Sequence, residues 1–114
     1  MLTEIDIINE TAEYYSNNPR GLNVNGGCVY LAKDGAMCAF GRCCTDPESL
    51  EGFLPAKELI IRRGVFIFKE QYKGVSDPDF WQDIQDFHDR DMCWDEGITI
   101  EGKDYRDELI KKYS

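Results

Sequence analysis

The stretch Cys28-Val29-Tyr30-Leu31-Ala32-Lys33-Asp34-Gly35-Ala36-Met37-Cys38-Ala39-Phe40-Gly41-Arg42 decides the fold read from this sequence. Asp34-Gly35 supplies the positive φ angles of a type I′ turn, so the spacing predicts a β-hairpin over residues 28–42. With a two-residue turn, Leu31 faces Cys38 and Val29 faces Phe40, and these four side chains form the core face. Arg42 leaves on that same face, where a guanidinium needs a partner. One reading gives it an anionic ligand: Gly41 lets the ligand approach the backbone and Arg42 clamps its phosphate or carboxylate. The other gives it an internal salt bridge to an Asp of the acidic helix over 79–91, and is favoured because so small a domain must pack that helix near the sheet.

Outward from the hairpin the chain reads as helices. Thr3 to Ser16 forms the first, with Thr3 as cap, Asp6 completing a weak capping box, and Leu2, Ile5, Ile8, Ala12 and Tyr15 as its apolar stripe. Pro47 starts a short helix, and Pro55 opens another over Ala56 to Arg63 that Gly64 ends. Val65 to Phe68 is too short to assign to strand or helix. Asp77-Pro78-Asp79 begins a strongly amphipathic helix to about Arg90, with Phe80, Trp81, Ile84, Phe87 and His88 inward and Asp79, Asp83, Asp86 and Arg90 outward. Thr99 caps a last helix from about Ile100 to Tyr113, with Tyr105, Leu109 and Tyr113 inward. The expected architecture is a single α+β domain over 1–114, a small antiparallel sheet built on the 28–42 hairpin and packed against three to four helices.

Thirteen basic and 22 acidic residues leave a net charge of −9. That balance argues against a general nucleic-acid binder, which needs clustered Lys and Arg, and against docking on anionic lipid. No stretch is apolar for long enough to span a bilayer, and the acidic start Met1 to Asp6 has neither the positive nor the apolar region of a secretory signal. Cysteines at 28, 38, 43, 44 and 93 are odd in number, with one adjacent pair, which points away from a disulfide framework and toward reduced thiols in a cytoplasm. Their spacing does not repeat as zinc ligands do, and the Asp89–Asp95 run lacks the glycine and final Glu of a calcium loop, so no metal or cofactor is expected.

Residues 77–96 hold eight acids and one base. Asp79, Asp83, Asp86, Asp89 and Asp91 are the candidate contacts to a basic protein partner, against the plainer reading of a solvated helix face. Residues 57–73 carry a net +3, so the layout is dipolar and self-association is a further possibility. His88 with a thiol makes a Cys/His enzyme conceivable, but Asp89 follows His88 directly, so on a helix the two side chains diverge by about 100° and Asp91 or Asp95 would have to orient the ring. No catalytic residue is assigned on this basis.

The pattern Asp34-Gly35-x-x-Cys38-Ala39-x-Gly41-Arg42-Cys43, then Phe80-Trp81-x-x-Ile84-Gln85-x-x-His88-Asp89, then Trp94-Asp95-x-Gly97-Ile98-Thr99-x-Glu101-Gly102 resembles small uncharacterised proteins of bacteria and their phages. The likeness covers about residues 28 to 105, with a poor match over 45 to 76. It implies a source rather than a mechanism, and marks Cys38, Gly41, Arg42, Trp81, Gln85, His88, Asp89 and Trp94 as a possible shared polar network. The functional expectation is a small acidic, non-enzymatic protein that binds and modulates or inhibits a host protein through its acidic surface. The alternative is a small-ligand module for an anionic nucleotide, centred on Arg42 with Gly41 and His88.

Overall fold

A computed structural model describes residues 1–22, 29–52 and 54–114. They form α1 (Glu4–Asn17), α2 (Ala39–Arg42), α3 (Ala56–Arg63), α4 (Pro78–Asp89) and α5 (Ile100–Lys112), with 3-10 turns at Pro47–Ser49, Gly64–Ile67, Glu70–Tyr72 and Asp91–Cys93. Helix α4 packs against all four of the others, and α1 also packs on α5.

The α+β expectation is overturned: the described residues contain no sheet, only isolated antiparallel bridges at Leu31–Met37, Cys44–Phe68 and Trp94–Ile98. A turn does form here, but it is not the expected type I′ turn, because of Asp34 and Gly35 only the glycine has a positive φ. Gly35 has φ +88°, its N–H donates to the Ala32 carbonyl at 3.0 Å, and the Asp34 carboxylate accepts from the Ala36 N–H at 3.0 Å. Leu31 then stands opposite Met37, not Cys38, and the expected pairing of Val29 with Phe40 is lost because the chain turns helical at Ala39. Cys28, the first residue of the expected hairpin, lies outside the described residues. The physical cause is local. A lone two-stranded ribbon is marginal in water, and Ala36, Met37 and Ala39 favour strands weakly. Cys38 instead caps α2, its sulfur accepting the Gly41 N–H at 3.2 Å. The undecided Val65–Phe68 stretch is a 3-10 turn whose exit residue, Phe68, bridges Cys44.

The helical expectations fare better because their signals are short-range. Thr3 and Asp6 close a reciprocal capping box at 3.2 and 3.0 Å. Asp77 accepts from the Asp79 N–H at 2.9 Å, with Pro78 as first helical residue. Thr99 caps α5 through the Gly102 N–H at 3.0 Å. Gly64 stops α3 with φ +69°.

The core forms around Trp81. Its ring meets Phe40 edge-on at 5.9 Å, Phe68 at 4.3 Å and Phe80 at 5.4 Å, and its indole N–H donates to the Val75 carbonyl at 2.8 Å. Phe87 continues this layer, tilted on Trp94 at 5.0 Å and stacked on Tyr105 at 5.3 Å. Replacing Trp81 by Ala opens a cavity the size of an indole and orphans the Val75 carbonyl. The expected cost is roughly 3–5 kcal/mol in urea unfolding, and unchanged stability in that variant would contradict this core.

Candidate functional site

Arg42 is the first candidate. Helix α2 delivers it into the interior, where Nη2 donates to Glu10 Oε1 at 2.8 Å and Nη1 to the Tyr72 hydroxyl at 3.1 Å. Tyr72 in turn donates to the same Glu10 oxygen, and the guanidinium lies 4.7 Å from the centre of the Tyr14 ring. Arg42 is therefore bridged internally, but to Glu10 of α1 and not to an Asp of α4 as the sequence suggested. Only its Nε lacks a partner among the described residues. Gly41 sits against the Tyr30 backbone, where an added Cβ would come within 2.3 Å of the Tyr30 carbonyl oxygen. The glycine serves a close approach of chain to chain.

His88 is the second. It is fully buried, 4.9 Å from the Tyr15 ring. The Gly21 N–H donates to Nε2 at 3.3 Å, which leaves the proton on Nδ1 for Asp89 Oδ1 at 2.7 Å. Asp89, not Asp91 or Asp95, orients the ring, contrary to the divergence argument. Asp89 is the last residue of α4, and its carboxylate folds back onto the ring from the helix end. The same Oδ1 accepts from Gln85 Nε2 at 2.8 Å, and Gln85 Oε1 accepts the Phe40 N–H at 3.1 Å. A chain of hydrogen bonds thus runs His88–Asp89–Gln85–Phe40 and ties α4 to α2. Gly41, Arg42 and His88 do not converge: Arg42 belongs to the Glu10–Tyr72 knot, His88 to this one.

The thiols have structural partners. Cys43 donates to the Ala39 carbonyl and Cys44 to the Phe40 carbonyl, each at 3.3 Å. Cys38, Cys43, Cys44 and Cys93 are free and buried. Burial pushes the Cys38 and Cys43 thiols up to about 12 and raises Cys44 and Cys93 as well. The thiolate needed for nucleophilic attack is disfavoured at each.

The acids of α4 are mostly engaged by the chain's own groups. Asp79 meets Lys57 at 2.7 Å. Asp83 meets Lys112 at 2.7 Å and the Tyr113 hydroxyl at 2.6 Å. Asp86 accepts from Gln82 at 2.9 Å, and Asp91 pairs with Arg20 at 2.9 Å while Arg20 also caps the His88 carbonyl at 3.1 Å. Lys57 and Lys112 pull Asp79 below the usual carboxylate range, the Lys57 hydrogen bond first. Sequence reasoning passed over a different set. Asp95, Glu96, Glu101 and Asp104 are exposed, and none takes an ion pair or side-chain hydrogen bond among the described residues. The signal available was the absence of bases: Lys103 is the sole Lys or Arg between residues 91 and 104.

No group of three or more His, Cys, Asp or Glu side chains is placed to hold a metal among the described residues. No helix among them is long and apolar enough to cross a membrane. Comparison with protein-family models, with curated proteins and with solved structures gives no match.

Three outcomes follow from the burial of Arg42 and of the thiols. Glu10→Ala strips the buried Arg42 of its carboxylate and costs roughly 2–3 kcal/mol, less than the ~3–5 of a fully enclosed pair because Glu10 is a third open to water; urea unfolding against wild type reads it. Cys38, Cys43, Cys44 and Cys93 resist iodoacetamide in the native protein at about pH 8 and react in denaturant, as mass spectrometry would show. The unfolded thiols ionise near 9.0 while Cys38 and Cys43 hold their protons to about 12, so stability falls as pH rises through that window, by up to ~1.4 kcal/mol per pH unit for each thiol.

Proposed function

We propose that this chain is a small binding protein, without catalytic chemistry of its own, that docks on a basic surface of another protein and modulates or inhibits it. The observation that carries this reading is the location of the uncompensated charge. The bases Arg20, Arg42, Lys57 and Lys112 are engaged by carboxylates of the chain itself, while Asp95, Glu96, Glu101 and Asp104 face solvent unpaired among the described residues. With a net charge of −9, such exposed carboxylates steer a cationic partner and discourage an anionic one. The internal engagement of Arg42 and His88 weighs against a nucleotide site at those residues, and the protonated buried thiols weigh against cysteine catalysis. The resemblance of the chain's signatures to small bacterial and phage proteins supports a host protein as the partner, with the cytoplasm as the place where they meet.

Affinity capture from a bacterial lysate, followed by calorimetry with the purified partner at low and high salt, tests the reading. A basic partner whose affinity drops about tenfold or more between ~0.05 and ~0.5 M salt is expected. Affinity that stays flat with salt, or an acidic partner, would be incompatible with docking through carboxylates.

A further inference from the structure

Five large apolar side chains of the described residues are strongly exposed, and two of them, Met92 at 62% and Ile100 at 77%, stand at one corner. The corner is where the 3-10 turn Asp91–Cys93 meets the start of α5. The Thr99 hydroxyl donates to the Met92 carbonyl at 2.6 Å while capping α5, and the Thr99 N–H donates to the Cys93 carbonyl at 2.9 Å. Gly102 lets this clasp close, since a Cβ there would lie 2.4 Å from the Cys93 carbonyl oxygen. The backbone at Met92 and Cys93 is thereby tied to Thr99, the residue before Ile100.

The surroundings are acidic. Residues 91–104 hold Asp91, Asp95, Glu96, Glu101 and Asp104 against Lys103 alone. Asp95 and Glu96 occupy the tight turn that links the clasp's two halves, with the Trp94–Ile98 bridge at its base. That turn also walls a groove of about 470 Å³, whose other side is the end of α1. The last turn of α1 contains no basic residue, so the helix's partial negative charge adds to the two carboxylates, against the one cation lining the groove, Arg20, which is paired with Asp91.

The exposed Ile61 and Phe66 make the contrasting case. The cations beside them, Arg62 and Arg63, hold Glu58 and Glu51 of the same chain, so that patch has no clear sign. At the Met92–Ile100 corner four exposed carboxylates without ion pairs among the described residues outnumber the exposed Lys103 and Arg90, so the sign is negative, and it selects the occupant.

Resting on the reading of this chain as an acidic docking protein, we infer that the Met92–Ile100 corner is its docking surface. Its occupant is a basic amphipathic protein segment: an apolar anchor covers Met92 and Ile100, and Lys or Arg side chains meet Asp95, Glu96, Glu101 and Asp104. The apolar contact supplies affinity and the carboxylates supply orientation and choice of partner.

Fluorescence anisotropy with two synthetic peptides tests this at about 0.15 M salt, where exposed charges farther apart than about 8 Å are largely screened. One is a helical Leu/Lys peptide with one apolar face; the other has Ser in place of every Leu. The Leu/Lys peptide is expected to bind about tenfold tighter or more. The double variant M92S/I100S abolishes that preference, and E96Q/E101Q/D104N weakens both peptides about tenfold. D79N/D91N, which alters acids already paired within the chain, changes little. All these side chains are exposed or partnered at the surface, and unchanged thermal unfolding of each variant verifies the fold. A Leu/Lys preference that is missing, or that survives M92S/I100S, overturns the corner. Loss of binding in D79N/D91N with none in the corner variants also overturns it, while leaving an acidic docking protein in place. Failure of both peptides to bind at any salt concentration removes that reading as well. A wild-type dimer in sedimentation that M92S/I100S dissolves makes the occupant a second copy and overturns the basic segment.

Discussion

Helix α4 has to hide two polar side chains together with its aromatic rings. Gln85 and His88 lie on the same inward side as Phe80, Trp81, Ile84 and Phe87. A buried amide or imidazole left without partners costs more than a ring contact returns. The structure meets this demand by bringing backbone N–H groups to the helix. Phe40 donates to Gln85, Gly21 donates to His88, and Asp89 closes the chain between the two side chains. The placement of α2 and of the segment after α1 follows from that requirement. Phe40 reaches Trp81 because its own N–H is committed to Gln85.

A second knot fixes the opposite side of α2. Arg42 enters from the end of a four-residue helix and finds Glu10 of α1 and Tyr72. Arg42 also stacks on Tyr14, so its burial is compensated by a carboxylate, a hydroxyl and an aromatic face. The two knots use the side chains that most invite a catalytic or ligand-binding interpretation, and they use them for cohesion. What remains for function is the outer surface, where charge is distributed unevenly. Ion pairs draw Asp79, Asp83 and Asp91 back onto the chain, while four exposed carboxylates without ion pairs among the described residues stand near the place where the Asp91–Cys93 turn meets α5.

The sequence was legible wherever one or two neighbouring residues impose a conformation. Thr3 with Asp6, Asp77 with Pro78, Gly64 and Thr99 each mark an element end by a contact that spans a few residues. The inward face of α4 was legible for the same reason, since helical spacing alone sorts its residues. The 28–42 stretch misled because the chain does turn at Asp34-Gly35, though not as a type I′ turn, while the strands on either side do not extend. A hairpin needs partners beyond itself to persist, and here the next residues find a cap at Cys38 and a core at Phe40 instead.

By itself, then, the sequence determined the capped starts of α1, α4 and α5 and the end of α3, the aromatic layer of α4, the internal fate of Arg42 as the favoured option, and a strong surplus of negative charge. Tertiary structure alone decided that no sheet forms among the described residues, that Glu10 rather than an α4 Asp receives Arg42, that Asp89 turns back on His88, and which acids stay free. The reason is range. Caps and periodicity act within one or two turns of chain, whereas the partner of a guanidinium or carboxylate lies up to 71 residues away, as Arg20 and Asp91 do, and only the folded chain brings them together.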